Sequence, residues 1–170
     1  MATVTQPLRE EHQHLLPHIE ALREAADAVG DLPPADLRRR LDAAYDFLAH
    51  HLIPHAEAED RALYPVVAKL LGTPEATATM SRDHVEVGRL TQELAALQAK
   101  LSGQPVSPEL ARALRRVLYS VYALVKVHFA KEEEVYLPML DARLSPQEAR
   151  HMFEAMERAA KAVKGSKVTS

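Results

Sequence analysis

Four histidines and two glutamates in this chain are spaced for metal binding. His55 and Glu59 stand four residues apart, and so do His128 and Glu132. On an α-helix that spacing puts both side chains on one face, about one turn apart and within reach of one ion. The arrangement occurs twice. Glu10-Glu11-His12 corresponds to Arg82-Asp83-His84, and His55 to Glu59 corresponds to His128 to Glu132; the first histidine precedes the second by 43 residues in one half and 44 in the other. Pro65 lies ten residues beyond His55 and Pro138 ten beyond His128, after the pairs Leu63-Tyr64 and Tyr136-Leu137. Two helix hairpins related by a pseudo-twofold would bring both sets to one level as a dinuclear site, with the glutamates placed to bridge. Imidazole and carboxylate without thiolate suit iron, manganese or zinc. Two bridging carboxylates in a helical bundle favour a di-iron or di-manganese centre.

The elements that must position these groups are helices, because apolar residues recur at three- and four-residue spacing and no strand-like alternation is sustained. Start and stop signals give four long helices at 6–29, 35–71, 75–102 and 108–142, and a shorter one at 146–163. Thr73-Pro74, Ser107-Pro108 and Ser145-Pro146 each set a capping hydroxyl before a proline at the first helical position. Ser145 with Glu148 makes a capping box, and Gly30, Gly72 and Gly103 fall where helices should end. Short connections predict an all-α fold, an up-down-up-down antiparallel four-helix bundle over 6–142 within a single domain, 1–170. The additional C-terminal helix is laid across it on Ala149, Met152, Phe153, Met156 and Val163, as cover or for dimerisation, and a loose tail follows at 164–170.

Alternating steps of four and three trace the seam that each helix turns into the bundle. The first seam takes in Leu8, His12, Leu15 and Ile19. The second runs from Leu52 through His55 and Glu59 to Leu63, Val66 and Leu70. The third holds Met80, His84, Val87 and Thr91, and the fourth runs from Leu124 through His128 and Glu132 to Val135 and Met139. Two ionised glutamates facing each other in an apolar core would repel, so they are protonated, paired or bound to a cation. A reading without metal, in which the histidines simply hydrogen-bond two buried glutamates, has to explain why the arrangement appears in both halves.

Around this set the expectations are plainer. His18 and His51 lie at the margins of their seams, roughly 60° off axis, and each is open as a fifth ligand, a partner to a ligand or a boundary residue. His14, His50 and His151 fall on outward faces, and Glu57, Asp60, Glu133 and Glu134 read as surface charge. Tyr45 reads as plain core. Pro17 and Pro54 sit inside helices and predict kinks, the second either aiming His55 or a harmless bend.

Composition excludes several classes. At 170 residues, with 47 % apolar and 26 % charged residues, the chain has the make-up of one folded domain. A net charge of -3 offers no basic stripe for nucleic acid. The most apolar stretch, Val117 to Ala130, carries Lys126 and His128 and is shorter than the roughly 20 residues that cross a bilayer. Met1 to Leu8 lacks the basic and apolar regions of a secretory signal. The absence of cysteine removes disulfides, thiolate metal sites and thiol nucleophiles. A cytoplasmic monomer or homodimer, with no nucleic-acid or membrane partner, is the expectation. Nine histidines are the outlying number.

At these residues the sequence resembles the hemerythrin-like family, specifically its HHE cation-binding branch. Three passages carry the resemblance. Glu11-His12 is followed by Leu15-Leu16-Pro17-His18-Ile19-Glu20, His55 to Glu59-Asp60 runs on through Leu63-Tyr64-Pro65, and His128 to Glu132-Glu133-Glu134 runs on through Pro138. The resemblance implies a non-haem centre of two iron ions, oxo- or hydroxo-bridged, with manganese or zinc less favoured. Its ligands would be His12, His55, His84 and His128, with Glu59 and Glu132 as bridges. Oxygen-carrying hemerythrins have a further histidine one turn after the third-helix histidine; here that position is Gly88. That departure leaves one histidine fewer and a place for water, O2, H2O2 or NO. The leading expectation is a protein that binds or senses such a ligand. A redox enzyme that decomposes peroxide or reduces NO, and an iron-storage or iron-sensing protein, are the alternatives.

Overall fold

The computed structural model describes residues 3–166, with side chains to Val163. Every regular element among them is helical: α1 (Gln6–Ala28), α2 (Pro34–Phe47), α3 (Ile53–Ala58), α4 (Tyr64–Leu71), α5 (Ala78–Gln98), α6 (Pro108–Lys131), α7 (Leu137–Arg143) and α8 (Pro146–Ser166). These make five rods. The π-helical turns Leu48–Leu52 and Glu59–Leu63 join α2, α3 and α4 without a break, and a third, Glu132–Tyr136, joins α6 to α7. A 3₁₀ turn, Pro74–Thr77, leads into α5, which ends at Gln98, four residues short of the expected 102. α8 continues three residues past the expected 163; of the tail placed at 164–170, residues 167–170 lie outside the described residues.

Proline explains the π turns. Pro54, Pro65 and Pro138 each stand two residues past the end of one, and the residue before each proline donates its N–H to the carbonyl five back: Ile53 to Leu48, Tyr64 to Glu59, Leu137 to Glu132. The widened turn makes room for a ring that would otherwise clash with the carbonyl four residues earlier. Pro17 shows no such adjustment, and α1 runs through it unbroken. The helix ends follow the expected chemistry. Ser107 Oγ accepts from the Leu110 N–H, the Ser145–Glu148 capping box forms in both directions, and Gly72 takes φ 77° after α4.

The two π turns that begin at glutamates move the seam by one residue. Beyond Glu59 the expected inward positions are Leu63, Val66 and Leu70; Leu63 is buried as expected, but Val66 and Leu70 are only half-buried while Tyr64 and Val67 are buried. Beyond Glu132, Val135 is 58 % exposed, while Leu137 and Leu140 are fully buried. A π turn spends one residue more than an α turn, which carries inward positions after it, such as Val67 and Leu140, one residue toward the C-terminus.

α1 packs against α6 and α2, and α5 against α6, α2 and α3. Their shared core holds Ile19, Leu22, Leu41, Leu48, Leu94, Leu114, Val117 and Val121. A second apolar cluster lies beyond the buried acids: Leu8, Leu63, Tyr64, Val67, Met80, Leu137 and Leu140, closed by Met152 and Met156 of α8. α8 lies on α3 and on the Glu59–Leu63 turn, and its apolar face is taken up within the chain, with Ala149, Met152, Met156 and Val163 all buried. Met156→Ala is therefore expected to cost about 2–4 kcal/mol, lowering Tm by roughly 5–15 °C in thermal unfolding followed by circular dichroism. An unchanged Tm would mean that α8 adheres without contributing to the core.

Candidate metal centre

The structure brings all six expected residues together between the two apolar clusters. α1 supplies His12, α3 supplies His55, the π turns supply Glu59 and Glu132 at their first residues, α5 supplies His84 and α6 supplies His128. Neither glutamate has exposed surface, and His12, His55 and His128 are buried.

Glu59 lies at the middle. Its Oε1 faces His55 Nε2 at 2.9 Å and His12 Nε2 at 3.7 Å, while its Oε2 faces His84 Nε2 at 3.3 Å and His128 Nε2 at 3.9 Å. Glu132 spans the same divide, with Oε2 3.5 Å from His12 Nε2 and Oε1 3.5 Å from His128 Nε2. Two groups able to hold an ion result, His12–His55–Glu59 and Glu59–His84–His128, each with its donor atoms within 4.8 Å of one another. They share Glu59, as a bridge would.

The donor atoms fit a cation on a second ground. His12 Nε2, both ring nitrogens of His55, both oxygens of Glu59 and Oε2 of Glu132 are buried without any hydrogen-bond partner in the protein. Buried polar atoms are ordinarily paired, and each unpaired one costs about 1–3 kcal/mol. All but His55 Nδ1 turn inward on the same cluster, and they fit a cation in placement and in donor type.

Sequence reasoning missed Tyr64. Its hydroxyl donates to Glu132 Oε1 at 2.7 Å and lies 3.2 Å from His128 Nε2 and 3.4 Å from His84 Nε2. In an unbroken α-helix Tyr64, five residues after Glu59, would sit roughly 140° around the axis from it; the π turn brings it inward. Phe129 was also unforeseen: it stacks on His12 at 4.2 Å between ring centres and walls the His12–His55 side.

Asp60 and Glu133, expected as surface charge, are instead held against site histidines. Asp60 pairs with His84 Nδ1 at 2.9 Å and Glu133 with His12 Nδ1 at 2.7 Å. Glu11 lies 3.0 Å from His55 Nδ1 and Asp83 3.0 Å from His128 Nδ1. The signal was adjacency: each carboxylate directly precedes or follows a site residue in sequence. His18 and His51 are exposed, His18 stacked on Phe47, and neither joins a metal-competent group among the described residues. A Cβ built at Gly88 meets no atom within 4 Å, so that stretch of α5 has room beside it.

The model of the hemerythrin HHE cation-binding domain matches residues 3–140. The chain belongs to that family. No curated protein and no solved structure matches it. The hemerythrin match takes in all six residues of the cluster and ends before α8. Cation binding is thus the family's shared property, and the buried histidine–glutamate cluster supplies the donors for it.

Without metal, protons hold this hemerythrin cluster together. Burial by itself disfavours the charged form of His55, but Glu59 and Glu11 beside it raise its pKa well above the usual imidazole range. Burial also opposes the charge on His128, yet Glu132 and Glu59 raise its pKa to about 10. Glu59 is held well below the usual carboxylate range because His55, His12 and His128 outweigh its desolvation. Burial, then Glu59 and Glu132, push the Tyr64 phenol up, so it remains a donor. A metal ion must therefore displace protons. Zinc added to metal-free protein near pH 8 in weak buffer is expected to release protons, that of His128 among them, as read with an indicator dye. Zinc affinity should rise with pH up to about 10, where His128 loses its proton unaided; affinity flat over that range would contradict the assignment.

Proposed function

We propose that this hemerythrin-family chain is a non-haem di-iron protein that binds or senses O2, H2O2 or NO. His12 and His55 would hold one iron, His84 and His128 the other, and Glu59 and Glu132 would bridge them. The observation that carries the reading is the pair of three-donor groups sharing Glu59, whose donor atoms are buried and unpartnered. Imidazole and carboxylate suit iron, manganese or zinc; two carboxylates placed to bridge in a helical bundle favour di-iron or di-manganese, and the resemblance to hemerythrins favours iron. When bound, iron supplies a redox couple and a coordination position for a small ligand. The open space beside Gly88 supports such a position.

The chain's own residues would do the rest. Phe129, Leu63 and Leu137 exclude water, the glutamates hold the two ions at fixed spacing, and Tyr64 keeps an O–H directed at Glu132. That phenol favours a second reading, a redox enzyme acting on peroxide or NO, because it places a proton donor inside the site. The up-down-up-down antiparallel order belongs to this proposal and is supported by the short connections and the neighbours of each rod. So does a cytoplasmic monomer or homodimer, supported by a site completed within one chain and by the absence, among the described residues, of any helix long and apolar enough to cross a membrane.

Protein purified from iron-supplemented growth is expected to contain about two irons per chain and to show near-ultraviolet bands of a bridged pair. Glu59→Ala and Glu132→Ala should each lower the stoichiometry to one iron or none. Protein that stays metal-free after anaerobic ferrous loading would overturn the reading. Steady gas evolution on adding peroxide would select the enzyme, and a reversible colour change with oxygen would select the carrier or sensor.

A further inference from the structure

Every inward histidine is met from behind by a carboxylate, His12, His84 and His128 through hydrogen bonds and His55 through an ion-pair contact that lacks hydrogen-bond geometry, and the four contacts follow one rule. Glu11, which precedes His12 on α1, meets His55 of α3 at 3.0 Å. Asp60, which follows Glu59 on the same rod as His55, meets His84 of α5 at 2.9 Å. Asp83, which precedes His84, meets His128 of α6 at 3.0 Å. Glu133, which follows Glu132 on the rod of His128, meets His12 of α1 at 2.7 Å. Each rod thus holds the histidine of the next, and the fourth returns to the first. Three of the four carboxylates are themselves braced: Glu133 by Arg9, Asp83 by Lys131 and Asp60 by Ser81. Glu11 has no such brace, and its side chain is 51 % exposed.

We propose that Asp60, Asp83 and Glu133 are positioning residues that fix His84, His128 and His12 with Nδ1–H outward and Nε2 toward the metal centre, and that Glu11, in ion-pair contact with His55, closes the ring. The inference rests on the di-iron reading above. Its physical basis is that the partner of one ring nitrogen decides which nitrogen is free to bind metal, and a carboxylate partner also makes that nitrogen a stronger donor. The ring links all four rods at one level. An imidazole held by a neighbouring rod cannot turn away without breaking an inter-rod contact, so both metal positions assemble with the closing of the bundle. The same adjacency explains why the acids sit beside the ligands in sequence: consecutive helical residues point about 100° apart, so one faces the centre while its neighbour faces the adjoining rod.

The test uses the full chain, zinc as a diamagnetic probe for NMR, and ferrous iron for affinity by chelator competition. In the zinc-loaded wild type, His12, His84 and His128 should each show a slowly exchanging Nδ1–H resonance. Asp60→Ala should remove that of His84, Asp83→Ala that of His128 and Glu133→Ala that of His12, each leaving the others in place. Ferrous affinity should fall by about 10- to 100-fold in each, and least in Glu11→Ala, whose carboxylate is the most exposed. Asp60→Asn and Asp83→Asn, which keep an acceptor oxygen, should restore the resonance and part of the affinity, and they guard against an alanine variant that fails to fold. Normal metal uptake by the wild type, with resonances and affinity unchanged in the Asp60 and Asp83 alanine variants, would overturn the ring alone. A wild type that takes up neither zinc nor iron would overturn the di-iron reading and the ring with it.

Discussion

Glu59 and Glu132 have no exposed surface, and an ionised carboxylate in such a place costs several kcal/mol unless a counter-charge meets it. The construction of this bundle follows from that cost. Four imidazoles converge on the two acids, and in the metal-free state the buried Glu59 is held toward its ionised form while His55, His84 and His128 are held toward their protonated forms. The imidazoles are met in turn on their outer sides by four carboxylates, of which two draw on Arg9 and Lys131 nearer the surface. Behind His12 and His128 the polar groups thus continue outward from imidazole to carboxylate to cation. Such a cluster is a poor way to gain stability, since an apolar core of the same volume would commonly do as well or better; its retention is explained by cation binding, the property of the family.

Much of this was legible in the sequence, because an α-helix repeats and a polar residue on its apolar stripe is conspicuous. His12, His55, Glu59, His84, His128 and Glu132 stand out for that reason and come together in the structure. The reading failed where the helix ceased to be α. Val66, Leu70, Val135 and Met139 were placed inward by extending a 3.6-residue period past Glu59 and Glu132, and the π turns there advance the register by one. Tyr64 was lost to the same slip. Pro65 and Pro138 were visible as a repeat, but their effect on the hydrogen-bond ladder was not drawn from it. Asp60 and Glu133 were misread for another reason: from sequence alone, an acid beside a ligand looks the same whether it faces water or the next rod. Only the neighbour's position decides, and that is tertiary information.

The two halves share ligands but not surroundings. Five residues after the bridging glutamate stands Tyr64 in one half and Leu137 in the other; three before the first histidine stand Arg9 and Ser81; three after the second stand Ala58 and Lys131. The phenol therefore serves only the side of His84 and His128, while His12 and His55 have Phe129 against them. Two ions held by matching donors would thus experience different environments, one beside a hydrogen-bond donor and one beside an aromatic face. One repeated pattern of histidine and glutamate thus acquires two chemically distinct sides through a few differing residues around it.

The asymmetry extends to how firmly the two π turns are held. A π turn interrupts the regular packing of its rod and needs a surface that can follow an irregular contour. α8 provides one for Glu59–Leu63: Met152 and Met156 are unbranched and adaptable, suited to filling such gaps. The corresponding turn at Glu132–Tyr136 has its outer side open, with Val135 58 % exposed. α8 lies outside the residues that match the hemerythrin family, yet it covers the rod that carries Glu59, whereas Glu132, with Tyr64 bonded to it, begins the turn whose Val135 is exposed.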